Sequence, residues 1–402
     1  MLNVVYVAPF PMDATLRFAK AIAKQQNTRL LGVFQNPPTG TLAQGFHDIV
    51  TISQGLSAAQ IEKAVRVLMA KHGPIHRIIG ILEQLQEPLA VVREALGIEG
   101  MKPKIAHRFR DKAEMKRVLS AHGIPCARFA MINSLDEAWA FVDKVGFPIV
   151  LKPPAGAGCK ATYRVSHPHA LMSAFAEIPV RPVLAEEFLH GVEFSMESFT
   201  LDGKPRFVSF SRYYPSPLEV MENPWIQWVV LFPKELDDPI FERAKQVGFA
   251  AIQALGLDTA MTHMEWFQRR DGSVAIGEIG ARPPGAQISQ MTGMIHGFDV
   301  HETWAKLMVH GVFDIQAKRE KAGAIVFLRG KGQGRIVSID GLAAAQKKMG
   351  ALVHDVSLPK IGAMRSSSYE GDGWVIILHH NTEVVKKAAM ELIQTVQIRY
   401  QN

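Results

Sequence analysis

The chain has 402 residues, 48% of them apolar and 21% charged, an ordinary globular balance with length for more than one domain. It contains no apolar run of the ~18 residues that a spanning helix needs, and its two cysteines, Cys126 and Cys159, exclude a disulfide scaffold and fit a reducing cytoplasm. The net charge of +7 comes from 45 basic residues against 38 acidic ones, dispersed rather than interleaved with aromatics, so small anionic ligands suit it better than nucleic acid or a membrane surface.

The start, Met1 to Phe10, lacks a basic leader and reads as a buried first strand rather than a signal peptide. Strands at Val4–Ala8, Arg29–Phe34, Ile49–Ile52 and Ile78–Leu82 alternate with helices at Thr15–Gln25, Ala58–Lys71 and Leu89–Leu96. This βα alternation predicts a small parallel sheet over residues 1–107. No Gly-x-Gly-x-x-Gly accompanies it, so it is not read as a dinucleotide site.

A second unit, 108–185, opens with Asp111-Lys-Ala-Glu114, which has the form of a capping box, and continues with a second box at Ser134-Leu-Asp-Glu137. A buried strand then delivers Lys152 into a glycine turn at Pro154-Ala-Gly-Ala-Gly158. A strand to Val165, a helix near His169–Glu177 and a strand at Val183–Glu186 complete it. From Glu193 the pattern turns antiparallel, with hairpins at Asp202-Gly203 and Asp271-Gly272 around a helix at Pro239–Leu255, giving a third unit over 186–320. The remainder, 321–402, reads as a smaller βαβ-like region ending in a helix at Thr382–Gln397.

The chemistry concentrates in the Asp271-Gly272 hairpin. A two-residue turn there sets Glu265 directly opposite Glu278, and His263 opposite Gly280. Facing carboxylates repel unless a cation or a shared proton lies between them, and hard oxygen ligands suit Mg²⁺. A register shifted by one, through a longer loop over Arg269 and Arg270, would instead put the two glutamates on opposite faces. Arg282, four residues after Glu278, is placed either to neutralise a transferring phosphoryl group or to pair with a glutamate.

Other features are weak singly. The backbone of the glycine turn could cradle phosphates, or serve only as a turn; Lys152 at a strand end could meet an anion, or snorkel. Lys112 lies in the first turn of a helix, where the dipole disfavours a cation. Glu186-Glu-Phe-Leu-His-Gly-Val-Glu193 could run past an adenine, with Glu193 on ribose, or be an exposed connection. Tyr213, Tyr214, Trp225, Trp228 and His263 could line a substrate pocket, or pack between lobes. The basic cluster Arg329 to Arg335 is read as a solvated turn.

In order and spacing, these elements resemble the ATP-grasp superfamily over about residues 105–310, and the flanking texture is most similar to its L-amino-acid ligase branch. The resemblance implies an α/β and α+β ATP-grasp fold with an N-terminal parallel α/β domain and a C-terminal lid subdomain. It also implies a cytoplasmic ATP-dependent carboxylate–amine ligase that joins small acids and amines, amino acids above all, through an acyl phosphate. By resemblance, Lys112, Lys152, Gly156 and Gly158 contact ATP phosphates. Glu186, Glu187, Phe188 and Leu189 lie at adenine, and Glu193 holds ribose. Glu265 and Glu278 bind Mg²⁺, for which Mn²⁺ could substitute, and Arg282 acts on the transferring phosphoryl group; His263, on the Glu265 face by the hairpin register, is the other catalytic candidate. Many members carry Asn where this chain has Gly280, which thins one metal site. Pairing into a homodimer through the N-terminal region is common among relatives. The rival readings are a carboxylase or purine-precursor ligase of the same superfamily, and a regulator that holds ATP without turnover.

Overall fold

A computed structural model describes residues 1–156, 161–178 and 180–401. The N-terminal region alternates β1 (Leu2–Ala8), α1 (Asp13–Ala23), β2 (Thr28–Phe34), β3 (Asp48–Thr51), α2 (Ala58–His72), β4 (Arg77–Ile79) and α3 (Gln86–Leu96). Its strands pair in parallel in the order β3-β2-β1-β4, as the βα alternation predicts. β1 is buried along nearly its whole length because helices cover both faces of the sheet.

Next come α4 (Pro103–Arg110), α5 (Lys112–Ala121), β5 (Phe129–Ile132), α6 (Leu135–Val145), β6 (Ile149–Lys152), β7 (Tyr163–Val165), α7 (Pro168–Glu177) and β8 (Val183–Glu187). Both predicted caps form: Asp111 accepts from the Glu114 N–H at 2.7 Å and Ser134 from the Glu137 N–H at 3.2 Å. The four strands make an antiparallel sheet, β5-β8-β6-β7.

The third stretch holds β9 (Gly191–Leu201), β10 (Lys204–Tyr214), α8 (Pro217–Glu222), β11 (Trp228–Phe232), α9 (Pro239–Leu255), β12 (Ala260–Arg269), β13 (Val274–Gly280), α10 (Ile288–His296) and α11 (Val300–His310). After it come β14 (Ala322–Leu328), β15 (Ile336–Asp340), α12 (Leu342–Met349), β16 (Val353–Ser357), β17 (Gly373–His379), α13 (Thr382–Thr395) and β18 (Gln397–Tyr400). Among the described residues, one eight-stranded sheet runs β13-β12-β9-β10-β11-β14-β17-β16 through both stretches. The C-terminal segment is therefore not βαβ-like. Its strands β14, β17 and β16 extend the central sheet antiparallel, while β15 and β18 pair separately.

Strand alternation gives the central sheet two unlike faces. On one, Phe194, Met196, Phe210, Met264, Trp266, Ile276 and Ile279 pack against α9 and α5, with Trp266 stacked on Phe194 at 4.5 Å. The other carries Glu193, Ser195 and Glu197 of β9, His263 and Glu265 of β12, Glu278 of β13, and Ser211 and Tyr213 of β10. A row of carboxylates on one face of a sheet is costly unless it serves something beyond the fold.

Candidate active site

Glu265 does lie opposite Glu278, and His263 opposite Gly280, but not by a simple two-residue turn. The loop is longer: the Arg269 N–H donates to the Ser273 carbonyl at 2.8 Å, and beyond it Gln268 faces Val274 and Trp266 faces Ile276. Carried onward, that register would put Glu278 opposite Met264, on the core face. The ladder instead shifts between Glu265 and Trp266, leaving Gly277 as the extra residue of a bulge. The bulge brings Glu278 back to the polar face. A Cβ at Gly277 would lie 3.1 Å from the Phe267 ring and 3.3 Å from the Glu265 carbonyl.

Lysines approach this face from two elements. Lys112, in the first turn of α5, is 6% exposed and reaches Glu278 Oε2 at 3.0 Å and the Gly156 carbonyl at 3.2 Å. The carboxylate thus offsets the cost of a cation at a helix start. Lys116, one turn on and fully buried, donates to the bulge carbonyl of Gly277 at 2.8 Å and pairs with Glu186 Oε1 at 3.3 Å. Lys152, at the end of β6, pairs with Glu186 Oε2 at 2.9 Å. Burial opposes ionisation of Glu186, but the two lysines overcome it and hold the carboxyl below its usual range. In Glu278 burial is likewise outweighed, by Lys112, Lys152 and Arg282, and its pKa falls to about 2. Glu193 goes the other way: burial and the nearby Glu265 and Glu278 carboxylates raise it well above the usual range.

Arg282 donates to Glu83 Oε2 at 3.0 Å, and Arg110 to Glu83 Oε1 at 3.2 Å, so a glutamate of the N-terminal region holds two arginines at the cleft. Arg110 also binds the carbonyls of Ala155 and Gly156 and so fixes the start of the glycine turn. His263 is clamped: Nδ1 donates to Glu197 Oε1 at 2.9 Å, and Nε2 lies 3.4 Å from the Tyr213 hydroxyl and 3.8 Å from Glu265 Oε1. Burial would depress its pKa, but the hydrogen bond to Glu197 and the nearby Glu265 carboxylate raise it to about 9.

These groups line one cleft, about 1290 Å³ counted to its open mouth. It is bounded by Lys112, Lys152, Gly156, Glu186, Glu187, Phe188, Leu189, Glu193, His263, Glu265, Glu278 and Arg282. Gly158, and Cys159 beside it, lie outside the described residues. Glu187 directs its carboxylate to Arg128, at 2.6 Å, rather than inward. Tyr213 and Trp228 line the far end with Leu218, Ile288 and Tyr369, whereas Tyr214 and Trp225 do not. Tyr214 packs under the Arg212 guanidinium at 4.4 Å, and Trp225 is 47% exposed. Sequence reading missed Glu83, Arg110, Lys116, Glu197 and Tyr369. Only Lys116 had a local signal, its one-turn spacing from Lys112.

Among the described residues no group of three or more His, Cys, Asp or Glu side chains forms a ready metal cage. Glu265 and Glu278 nonetheless fit Mg²⁺: they are hard oxygen donors on rigid strands, and two of them leave coordination positions for phosphate and water.

Residues 117–289 match the model of the ATP-grasp domain family. Among curated proteins it is 27% identical over 252 residues, 61% of this chain, to the L-arginine-specific L-amino acid ligase of Bacillus subtilis. It spans 60% of that relative's length. Its fold is shared with the L-amino acid ligase from Bacillus licheniformis, with a TM-score of 0.83 at 19% identity over 100% of this chain and 99% of the other. Carboxyaminoimidazole ribonucleotide synthase from Aspergillus clavatus, solved in complex with ATP, gives 0.72 at 15% identity over 98% of each chain. The α/β and α+β fold predicted from the sequence is thus that of ATP-grasp ligases. No helix among the described residues is long and apolar enough to cross a membrane.

Proposed function

We propose that the protein is an ATP-dependent carboxylate–amine ligase that joins two small molecules, amino acids in the first instance, through an acyl phosphate. The observation that carries this reading is the polar face itself, where Glu265 and Glu278 stand side by side beneath Lys112, with Arg282 at the cleft. Lys112 and Lys152 bind the phosphates of ATP, together with the turn at Gly156 and Gly158. The segment Glu186 to Leu189 borders adenine, and Glu193 holds ribose. When bound, Mg²⁺ on Glu265 and Glu278 neutralises phosphate oxygens.

A carboxylate oxygen of the first substrate attacks the γ-phosphorus, and the bond from phosphorus to the ADP oxygen breaks. The amine of the second substrate then attacks the acyl carbon, the carbon–oxygen bond to phosphate breaks, and the nitrogen loses a proton. Arg282 faces the oxygens on which charge gathers in both steps. His263, held by Glu197, presents a positive edge to the same region and orients the substrate. The Bacillus relatives' names support amino acids as substrates. The synthase likeness keeps a ribonucleotide substrate or a bicarbonate-dependent reaction as the rival, which bicarbonate-dependent phosphate release would reveal.

Glu278→Gln should lower ADP release by about a hundredfold or more while leaving the thermal transition in place. Full activity in that variant would remove the metal assignment.

A further inference from the structure

A second cavity, about 830 Å³ counted to its mouth, lies between the N-terminal sheet, α11 and the start of β12. Of its lining residues only Arg282 also borders the main cleft. The cavity is lined by Arg93 of α3, which is 6% exposed. The Arg93 Nε–H donates to the Leu89 carbonyl at 3.1 Å, one turn back on its own helix. The buried Nη2 has no hydrogen-bond partner among the described residues. Burial lowers the pKa of this guanidinium to about 10, with no carboxylate acting in the other direction.

Buried arginines are ordinarily paired, because a charged donor left without an acceptor bears its full desolvation cost. The guanidinium packs against Gly100, whose positive φ of +139° requires glycine and where a Cβ would lie 2.8 Å from Arg93 Nη1. The other arginines of the cavity are already engaged, Arg77 with Glu99 at 2.9 Å and Arg282 with Glu83 at 3.0 Å. Trp304 and Met308 of α11 give it an apolar wall. Asp202, in the β9–β10 turn, and Asp258, just before β12, also line it.

We propose that this cavity binds a small organic carboxylate, with its carboxyl group on Arg93 and its apolar body against Trp304 and Met308. The carboxylate supplies the acceptor and the counter-charge that Arg93 lacks. Two sources share this chemistry: a simple aliphatic acid, and an amino acid whose ammonium would meet Asp202 and Asp258.

The test is calorimetric titration of the full chain, without ATP, using 4-methylpentanoate, its neutral amide, leucine and inorganic phosphate. Saturable binding of the acid but not the amide is expected, weakened about ten- to hundredfold in Arg93→Gln. Met308→Trp, which fills the cavity and leaves Arg93 in place, should abolish binding and carries the test if Arg93→Gln fails to fold. Leucine binding more tightly than 4-methylpentanoate would support the site and identify an amino acid as its occupant. No binding of either acid, binding of phosphate alone, or binding unchanged in both variants would overturn the proposal; the last result would place the ligand in the main cleft.

Discussion

Lys116 shows how a single buried charge serves both fold and site. It has no exposed surface, yet its ammonium is shared between the Gly277 carbonyl and the Glu186 carboxylate. Removing one member of such a set leaves the others buried and unpaired, which costs about 3–5 kcal/mol. Lys116→Met should therefore lower the unfolding free energy by about that amount in urea, whereas a surface substitution such as Lys63→Met should change it little. His296 illustrates the opposite sign. Burial, aided by nearby Arg319, lowers its pKa to about 3, and the neutral ring donates from Nδ1 to the Thr292 carbonyl at 3.0 Å. Its folded pKa lies below the ~6.5 of an unfolded chain. The unfolded state therefore takes up the proton first as pH falls, and the stability contributed by the neutral ring is present above pH ~6.5 and lost between there and about 3. His296→Gln should flatten the fall in urea midpoint between pH 7 and pH 4.5. An identical fall in both proteins would remove His296 as its cause.

At the scale of elements, the β12–β13 hairpin shows what was legible and what was not. Alternation and Asp271-Gly272 are local signals, and from them the facing of Glu265 and Glu278 could be read. The route to that facing could not. The loop moves the register by one residue and the bulge at Gly277 moves it back, and the bulge carbonyl is bound by Lys116, more than a hundred residues away in the chain. The caps at Asp111 and Ser134 were legible because they are satisfied within three residues. The joining of β14, β17 and β16 to the central sheet was not, because a period-two pattern does not say which strand a strand will pair with. Glu83 and Glu197 gave no local sign either, since their partners Arg110, Arg282 and His263 are distant in sequence. Gly277→Val would press on the Phe267 ring and the Glu265 carbonyl and displace Glu278. ADP release should fall about a hundredfold, with only a modest loss of thermal stability. A parallel loss of both would mean that the glycine serves the fold alone.

On the scale of the whole molecule, the cleft is where separate regions meet. α5 contributes Lys112, the smaller antiparallel sheet Lys152 and Glu186, the central sheet its carboxylates, and the C-terminal segment Tyr369. The N-terminal region is tied in by Glu83, which holds Arg110 and Arg282 together. No one region completes the site, so the activity proposed for this chain belongs to their assembly. The most direct test is ADP and phosphate release from Mg-ATP with amino acids offered singly and in pairs, the products weighed by mass spectrometry. Release that requires two amino acids, with a product equal in mass to their sum less one water, is the predicted result. ATP bound but not turned over with any pair, or phosphate released only with bicarbonate, would contradict it.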